Sequence, residues 1–281
     1  MPARDRREHG GRLLTAAALA LTLTVLCATA PASAQPAVEP AAAIADGPAK
    51  AWLVADLDTG AVLAAKDPNG SYAPASTIKV LLAMVVVDNL KPGDFARANA
   101  SHGRVECSCV GLTPGQPYTT RQLLEALLMV SGNDAATMLA DMLGGQRVAV
   151  AAMNRKAAAL GARSTRASSP SGLDGPGWES VTTPRDLAAM FRAALGYPLI
   201  AQILRQPSAA FPGKTISAQN ELLSRYPGDL GGKTGFTNLA RKTYVGAAQR
   251  GNRRLVVVQM YGTGDLYGQA TDLLDWGFAQ A

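Results

Sequence analysis

Histidine is scarce in this chain, since the 281 residues include only His9 and His102. His9 lies in a segment that we expect to be removed, and His102 stands in a short polar run. A Ser-His-Asp triad needs a histidine as its base. The Gly-x-Ser-x-Gly sequence that presents the nucleophile of many serine hydrolases is absent as well. The sequence therefore argues against a histidine-based serine hydrolase.

Cysteine is also rare, with Cys27 near the N-terminus and the closely spaced pair Cys107 and Cys109. No third or fourth ligand stands near the pair, so we predict no metal site. The pair could form a disulfide in an oxidising compartment or remain as two thiols, and the sequence leaves both open. A bridge between residues two apart closes almost no loop, so it would contribute little stability.

Strong charge of one sign is missing too, because the formal net charge is only +6 and the basic residues are scattered. No basic block with interleaved aromatic residues is present, so we predict no nucleic-acid partner. Neither Gly-Lys-Thr sequence, at 213–215 or 232–234, has the earlier glycine of a phosphate-binding loop. These absences exclude two large classes of ligand.

The one long apolar run lies at the N-terminus, where residues 1–34 are predicted to be a secretory signal peptide. Four arginines precede the run Leu13–Cys27, whose 15 residues are short for a membrane span of about 20 residues. Ala32-Ser33-Ala34 offers a cleavage site that would leave Gln35 first; an uncleaved anchor is the alternative. We expect an exported, extracytoplasmic protein of the cell wall or periplasmic space, or a secreted one, without a stable membrane anchor after cleavage.

The rest of the chain predicts an α+β fold. Residues 35–49, rich in alanine and proline, are predicted to be a flexible lead-in, and residues 50–281 the catalytic domain. Strands are predicted at residues 51–57, 61–65, 233–237, 242–249 and 254–261. Helices are predicted at residues 78–90, 121–130, 134–143, 148–160, 184–195 and 265–278. This order indicates an antiparallel sheet of about five strands, built from both ends, flanked by helices and with an inserted helical lobe.

The motif Ser-Thr-Ile-Lys at residues 76–79 is the first of three that carry chemistry. On a helix, Ser76 and Lys79 lie on one face within contact distance. A serine hydroxyl becomes a good nucleophile when a neighbour takes its proton. Lys79 can take it only when the amine is neutral, which burial and a second cation such as Lys233 would favour. We therefore predict Ser76 as nucleophile and Lys79 as base.

The other two motifs are Ser-Gly-Asn at residues 131–133 and Lys-Thr-Gly at residues 233–235. Ser131 can pass a proton to a leaving amine, and Asn133 can hold a substrate amide. Lys233 and Thr234 can bind a carboxylate, and Gly235 lets an extended substrate approach the strand edge. The backbone N–H groups of Ser76 and Phe236 are the predicted oxyanion hole.

Together these motifs resemble the low-molecular-mass penicillin-binding proteins, in particular the D-alanyl-D-alanine carboxypeptidases. The resemblance extends over roughly residues 50–281. It implies a β-lactamase/transpeptidase-like fold and removal of the terminal D-alanine from peptidoglycan stem pentapeptides through an acyl-enzyme on Ser76. It also implies inhibition by β-lactam antibiotics, and no metal or cofactor.

Two departures from the family and three alternatives bear on this interpretation. Many relatives have histidine where this chain has Ser171, and some carry a further β-rich domain and an amphipathic helix that this sequence lacks.

A D,D-transpeptidase or endopeptidase would use the same site. A serine β-lactamase would need a glutamate for deacylation, and none lies between Asn133 and Gly175. An inert wall or β-lactam-binding protein is disfavoured because all the polar motif residues are present.

Overall fold

The computed structural model describes residue 44 and residues 46–280. Its central feature is a five-stranded antiparallel sheet in the order β2-β1-β9-β8-β7. The strands are β1 (Ala49–Asp56), β2 (Val62–Lys66), β7 (Asp229–Thr237), β8 (Arg241–Arg250) and β9 (Arg253–Gly262). The predicted sheet drawn from both ends of the chain is therefore confirmed, and β7 forms one of its edges.

Between β2 and β7 the chain is mostly helical, as predicted. The longer helices of this part are α1 (Lys79–Asn89), α2 (Thr120–Met129), α3 (Asn133–Met142), α4 (Gln146–Ala159) and α5 (Pro184–Leu195). The final helix α8 (Leu266–Ala279) packs on β9. Two predicted helix starts are confirmed in detail: Thr119 and Gln122 form a capping box at α2, and Thr183 accepts the backbone N–H of Asp186 at α5.

Helix α1 runs through the middle of the core. Its first eight residues, from Lys79 to Val86, are buried, which agrees with a helix whose sequence is apolar nearly all round. It contacts α2, α4 and α5. The burial of this helix matters for the site, because its first residue is a lysine with no access to solvent.

Several short elements were not predicted. They are the strands β3 (Phe95–Arg97), β4 (Pro117–Thr119), β5 (Ser208–Phe211) and β6 (Lys214–Ser217), and the helices α6 (Pro198–Leu204) and α7 (Leu222–Arg225). β3 pairs with β4 and β5 with β6, each as a separate two-stranded sheet. Strands of three or four residues carry too little of the period-two pattern to be seen in a sequence.

Among the described residues, no single helix is long and apolar enough to span a membrane. Helices α5 and α6 together have the length and composition of a membrane span, but the chain bends by 105° between them. The predicted signal peptide and most of the lead-in lie outside the described residues. The division of the chain at residues 34 and 49 stays a prediction.

Candidate active site

Ser76 lies in a tight turn that leads into the central helix. Residues Ala75–Ile78 form a 3-10 helix, and α1 begins at Lys79. Ala75 has a φ of 48°, a left-handed conformation that non-glycine residues adopt rarely. Such backbone strain is common at functional sites. Ser76 and Lys79, which we expected on one face of an α-helix, are thus joined by a 3-10 turn. This turn brings the Lys79 Nζ to 2.6 Å from the Ser76 Oγ.

Close packing of this turn against β7 depends on glycine. A Cβ atom on Gly235 would lie 2.8 Å from the backbone nitrogen of Ser76 and 2.5 Å from the Thr243 Oγ1. On the other side, a Cβ on Gly172 would lie 2.0 Å from the Ala75 carbonyl oxygen. The nucleophile is therefore held between two backbones at distances that only glycine allows.

Ser131 and Asn133 come from the junction between α2 and α3. Ser131 has a φ of 61° just after α2, and Asn133 is the first residue of α3. Both side chains are buried. The Lys79 Nζ lies 2.7 Å from the Asn133 Oδ1 and 3.5 Å from the Ser131 Oγ. The sharp reversal at residue 131 thus aims two polar groups of one motif at the same lysine.

Lys233 completes the cluster from the edge strand β7. Its Nζ donates to the Ser131 Oγ at 3.0 Å and to the Thr234 carbonyl oxygen at 2.6 Å. Ser131 therefore stands between the two lysine amines. The structure brings together all five polar side chains that the motifs predicted for this cluster: Ser76, Lys79, Ser131, Asn133 and Lys233.

Both lysines have unusual electrostatics. Burial lowers the pKa of Lys79 well below its usual value, and the nearby charge of Lys233 lowers it further. Burial lowers the pKa of Lys233 to about 7. The sequence predicted both burial and Lys233 as causes of a low pKa of Lys79, and burial is the larger of the two. A lowered pKa increases the neutral fraction of the Lys79 amine, which is the form that can accept a proton.

A cleft of about 300 Å³ opens over this cluster. Among its lining residues are Thr234, Gly235 and Phe236 of β7, together with Ser76, Ser131 and Asn133. Its remaining lining residues are Glu106, Cys107, Ser108, Gly172, Leu173, Gln219 and Thr237. All the predicted site residues except the two buried lysines line this cleft. A larger cavity of about 480 Å³ on the α8 side shares only Thr234 and Gly235 with it.

Sequence reasoning missed several residues that shape the cleft. The buried carboxylate of Asp134 accepts backbone N–H groups from Val110, Gly111 and Leu112, at 2.8–3.1 Å. Asp174 accepts the hydroxyl of Thr237 at 2.6 Å, which fixes the end of β7. A carboxylate that orders a loop more than 20 residues away in the chain leaves no local sequence pattern. The only sequence signal for Asp134 was its position directly after the second motif.

The cysteine pair, left open by the sequence, forms a disulfide between Cys107 and Cys109 at the rim of the cleft. The same segment contacts Asn133 through the carbonyl oxygens of Glu106 and Ser108. Ser171 is buried, and its Oγ accepts the backbone N–H of Leu173 at 3.3 Å. Ser171 is not among the residues that line the cleft.

Comparison with known proteins agrees with this geometry. Residues 36–263 match the sequence profile of the D-alanyl-D-alanine carboxypeptidase family. The D-alanyl-D-alanine carboxypeptidase DacB2 of Mycobacterium tuberculosis is 57% identical over 253 residues, which are 86% of this chain and 87% of DacB2. Residues 36–263 contain all three motifs.

Solved structures show the same fold. The crystal structure of a D-alanyl-D-alanine carboxypeptidase from Mycobacterium tuberculosis H37Rv aligns with a TM-score of 0.84 at 55% identity, over 89% of this chain and 97% of that one. The Streptomyces K15 DD-transpeptidase aligns with a TM-score of 0.80 at 27% identity, over 84% and 99%. The β-lactamase/transpeptidase-like fold is thereby confirmed. The chain belongs to the D-alanyl-D-alanine carboxypeptidase family, whose members are serine-type hydrolases.

Proposed function

We propose that Ser76 is the nucleophile of this carboxypeptidase and that Lys79 is its general base. The observation that carries the proposal is the 2.6 Å approach of a buried lysine amine to the serine hydroxyl. With its low pKa, the neutral Lys79 amine accepts the hydroxyl proton as the Ser76 Oγ attacks the carbonyl carbon of the penultimate D-alanine. The backbone N–H groups of Ser76 and Phe236 stabilise the resulting oxyanion.

Ser131 then returns the proton to the leaving group. Its Oγ lies 3.5 Å from the Lys79 Nζ and 3.0 Å from the Lys233 Nζ, so it can relay a proton from Lys79 to the amine of the departing D-alanine. The peptide bond breaks, D-alanine leaves, and the rest of the peptide stays on Ser76 as an ester. Attack by water on this ester, with the reverse proton transfer, completes the hydrolysis.

Substrate binding is assigned to the residues around this centre. The terminal carboxylate of the peptide is bound by Lys233 and Thr234, where a protonated lysine supplies one donor beyond its two internal hydrogen bonds. Asn133 holds the substrate amide, and Gly235 lets the extended peptide lie beside β7. A β-lactam presents a similar carboxylate and an acylating carbonyl, so it would acylate Ser76 and inhibit the enzyme.

The substrate, peptidoglycan stem peptides, lies outside the cytoplasm, and the N-terminal sequence agrees with export. We therefore propose an exported protein of the cell wall or periplasmic space, or a secreted one, with its first 34 residues removed. Intact-mass analysis of the protein recovered from cells should give a chain that starts at Gln35. A chain that retains Met1 or the apolar run would contradict this.

The experiment that tests the activity is release of D-alanine from a peptide ending in D-Ala-D-Ala. The parent protein should release D-alanine and should be acylated by a fluorescent penicillin. Ser76→Ala should do neither, whereas Ser208→Ala, at an exposed position outside the cleft, should match the parent. Release by Ser76→Ala would refute the assigned nucleophile.

A second candidate is D,D-transpeptidation or endopeptidase activity on the same site, favoured by the structural similarity to the K15 DD-transpeptidase. Hydrolysis and transpeptidation differ in whether water or an amine attacks the acyl-enzyme, whereas an endopeptidase also uses water and differs in which peptide bond it cuts. Adding an amine acceptor such as glycine to the same assay separates hydrolysis from transpeptidation. A product joined to the acceptor, formed faster than free tetrapeptide, would favour the transpeptidase.

A further inference from the structure

The cleft is lined in part by a disulfide that the proposed mechanism does not use. We call residues 106–109, which contain the Cys107–Cys109 bridge, the disulfide loop. Glu106, Cys107 and Ser108 line the cleft. Cys107 is exposed and Cys109 is partly buried, so the bridge is accessible to small molecules. The loop follows a stretch without regular helix or strand at residues 98–105.

This loop holds Asn133 at two points. The backbone N–H of Asn133 donates to the Ser108 carbonyl oxygen at 2.6 Å. Its side-chain Nδ2 donates to the Glu106 carbonyl oxygen, also at 2.6 Å. The Oδ1 of the same amide lies 2.7 Å from the Lys79 Nζ. These contacts fix the amide plane and leave one Nδ2 hydrogen for a substrate carbonyl.

The bridge ties together the part of the chain that carries both acceptors. Ser108, whose carbonyl oxygen accepts the Asn133 N–H, lies inside the ring that the disulfide closes. The Glu106 carbonyl belongs to the peptide bond that leads directly into Cys107. The following residues, 110–112, are held separately by Asp134. Within the loop itself, the other side-chain anchor is a longer hydrogen bond of 3.3 Å from the Ser108 Oγ to the Val130 carbonyl.

A ring of this size contributes little to global stability, because it removes almost no freedom from the unfolded chain. Its effect is local, since it limits the conformations that the loop can adopt in the folded protein. We propose that the Cys107–Cys109 disulfide is a positioning element for Asn133, and that its reduction by a small dithiol weakens acylation of Ser76. The inference rests on the proposed function of the cleft.

The chemistry needs a dithiol such as dithiothreitol as reductant. One thiolate of the reagent attacks the Sγ of Cys107, the more exposed of the two cysteines, the protein S–S bond breaks, and Cys109 leaves as a thiolate that takes up a proton. The second thiol of the reagent then displaces Cys107, so that the reagent becomes a cyclic disulfide and the protein carries two thiols. The freed loop no longer fixes the Glu106 and Ser108 carbonyl oxygens opposite Asn133.

The test compares oxidised and reduced protein in the full chain with Cys27→Ser, where Cys107 and Cys109 are the only cysteines. We expect reduction to lower the rate constant of acylation by fluorescent penicillin, and kcat/KM for the D-Ala-D-Ala peptide, about three- to tenfold. This is the factor that the loss of one ordinary hydrogen bond produces. The thermal midpoint should stay nearly constant, because the global fold is retained.

Two variants test whether the lower acylation rate after reduction arises from loss of the disulfide and acts through Asn133. Cys107→Ser/Cys109→Ser should show the lowered rate from the start and should not respond to the dithiol. In an Asn133→Ala background, where the held side chain is gone, reduction should cause little additional loss of acylation. Non-additivity of this kind indicates that the disulfide acts through Asn133, which a general structural role would not produce.

Each other result overturns the inference. Unchanged acylation after reduction would show that the loop holds its shape without the bridge. An equal loss in the parent and in Asn133→Ala would show that the bridge acts elsewhere, and a fall in the thermal midpoint by many degrees would assign it a global structural role. If the oxidised parent fails to be acylated at Ser76, the proposed function itself fails, which is a distinct outcome.

Discussion

Replacing Lys233 by methionine tests what it costs the protein to bury an ammonium group under the cleft. Burial lowers the pKa of Lys233 from 10.5 to about 7 in the folded protein. Between these two values the unfolded chain binds more protons than the folded one. The stability that depends on this group therefore rises as the pH rises from about 7 towards 10.5.

The size of the effect follows from the two pKa values. Each pH unit between them corresponds to about 1.4 kcal/mol, so burial of Lys233 costs about 4 kcal/mol at pH 7 and about 1 kcal/mol at pH 9.5. Methionine removes this cost and is similar in length, but it loses two hydrogen bonds worth about 1 kcal/mol each. Lys233→Met should therefore be more stable than the parent by about 2 kcal/mol at pH 7 and less stable by about 1 kcal/mol at pH 9.5.

Urea unfolding of parent and variant at the two pH values measures this difference, with circular dichroism as the signal. Lys242→Met is the matched control, because Lys242 is an exposed lysine on the neighbouring strand and its replacement should have a small effect. Lys233→Met should also lose acylation by penicillin. If the difference between parent and Lys233→Met is the same at pH 7 and pH 9.5, the assigned cost of burial is wrong.

The other predictions concern the base, the loop anchor and the glycine of the third motif. The acylation rate of the parent should rise with pH as Lys79 loses its proton and should fall again as Lys233, which binds the carboxylate when protonated, loses its own, since burial lowers the pKa of both lysines. Lys79→Arg should lower that rate at least about a hundredfold at every pH up to 10, because arginine keeps its proton; a variant of near-parent activity would remove Lys79 as base. Asp134→Ala should lower the free energy of unfolding by about 3 kcal/mol in urea, because it leaves three backbone N–H groups, one of them on the buried Val110, without their charged acceptor. The exposed Asp272→Ala should change stability by less than about 0.5 kcal/mol, and equal effects of the two would contradict the role of Asp134. Gly235→Ala should reduce acylation more than tenfold by displacing the Ser76 backbone, while Gly93→Ala, with open space at its Cβ, should leave it unchanged.

Much of the architecture was predictable because its signals are local. The capping residues Thr119 and Thr183 are the N-caps of α2 and α5 in the structure. The strand patterns at both ends of the chain predicted one antiparallel sheet, and all five of its strands are present. A capping box or an alternating strand acts over a few residues, so a short stretch of sequence contains the whole physical cause.

Elements that depend on packing were not predictable in this way. Helix α6 follows α5 after only two residues, and nothing local marks the bend of 105° between them. The hairpins β3–β4 and β5–β6 have strands of three or four residues. Such strands are held by the surfaces on which they pack, and propensity over so few positions decides little.

The candidate site likewise has features that were predictable from local sequence and features that depend on packing. By itself, the sequence predicted which groups carry the chemistry, since a serine, two lysines, a second serine and an asparagine stand in three motifs whose residue types are typical of an acyl-transfer site. Only the tertiary structure decided that Lys79 is buried, that Ser131 lies between two amines, and that a disulfide loop holds Asn133. The physical reason is that burial and hydrogen bonding join residues from distant parts of the chain, and the pKa of a lysine is set by that surrounding protein.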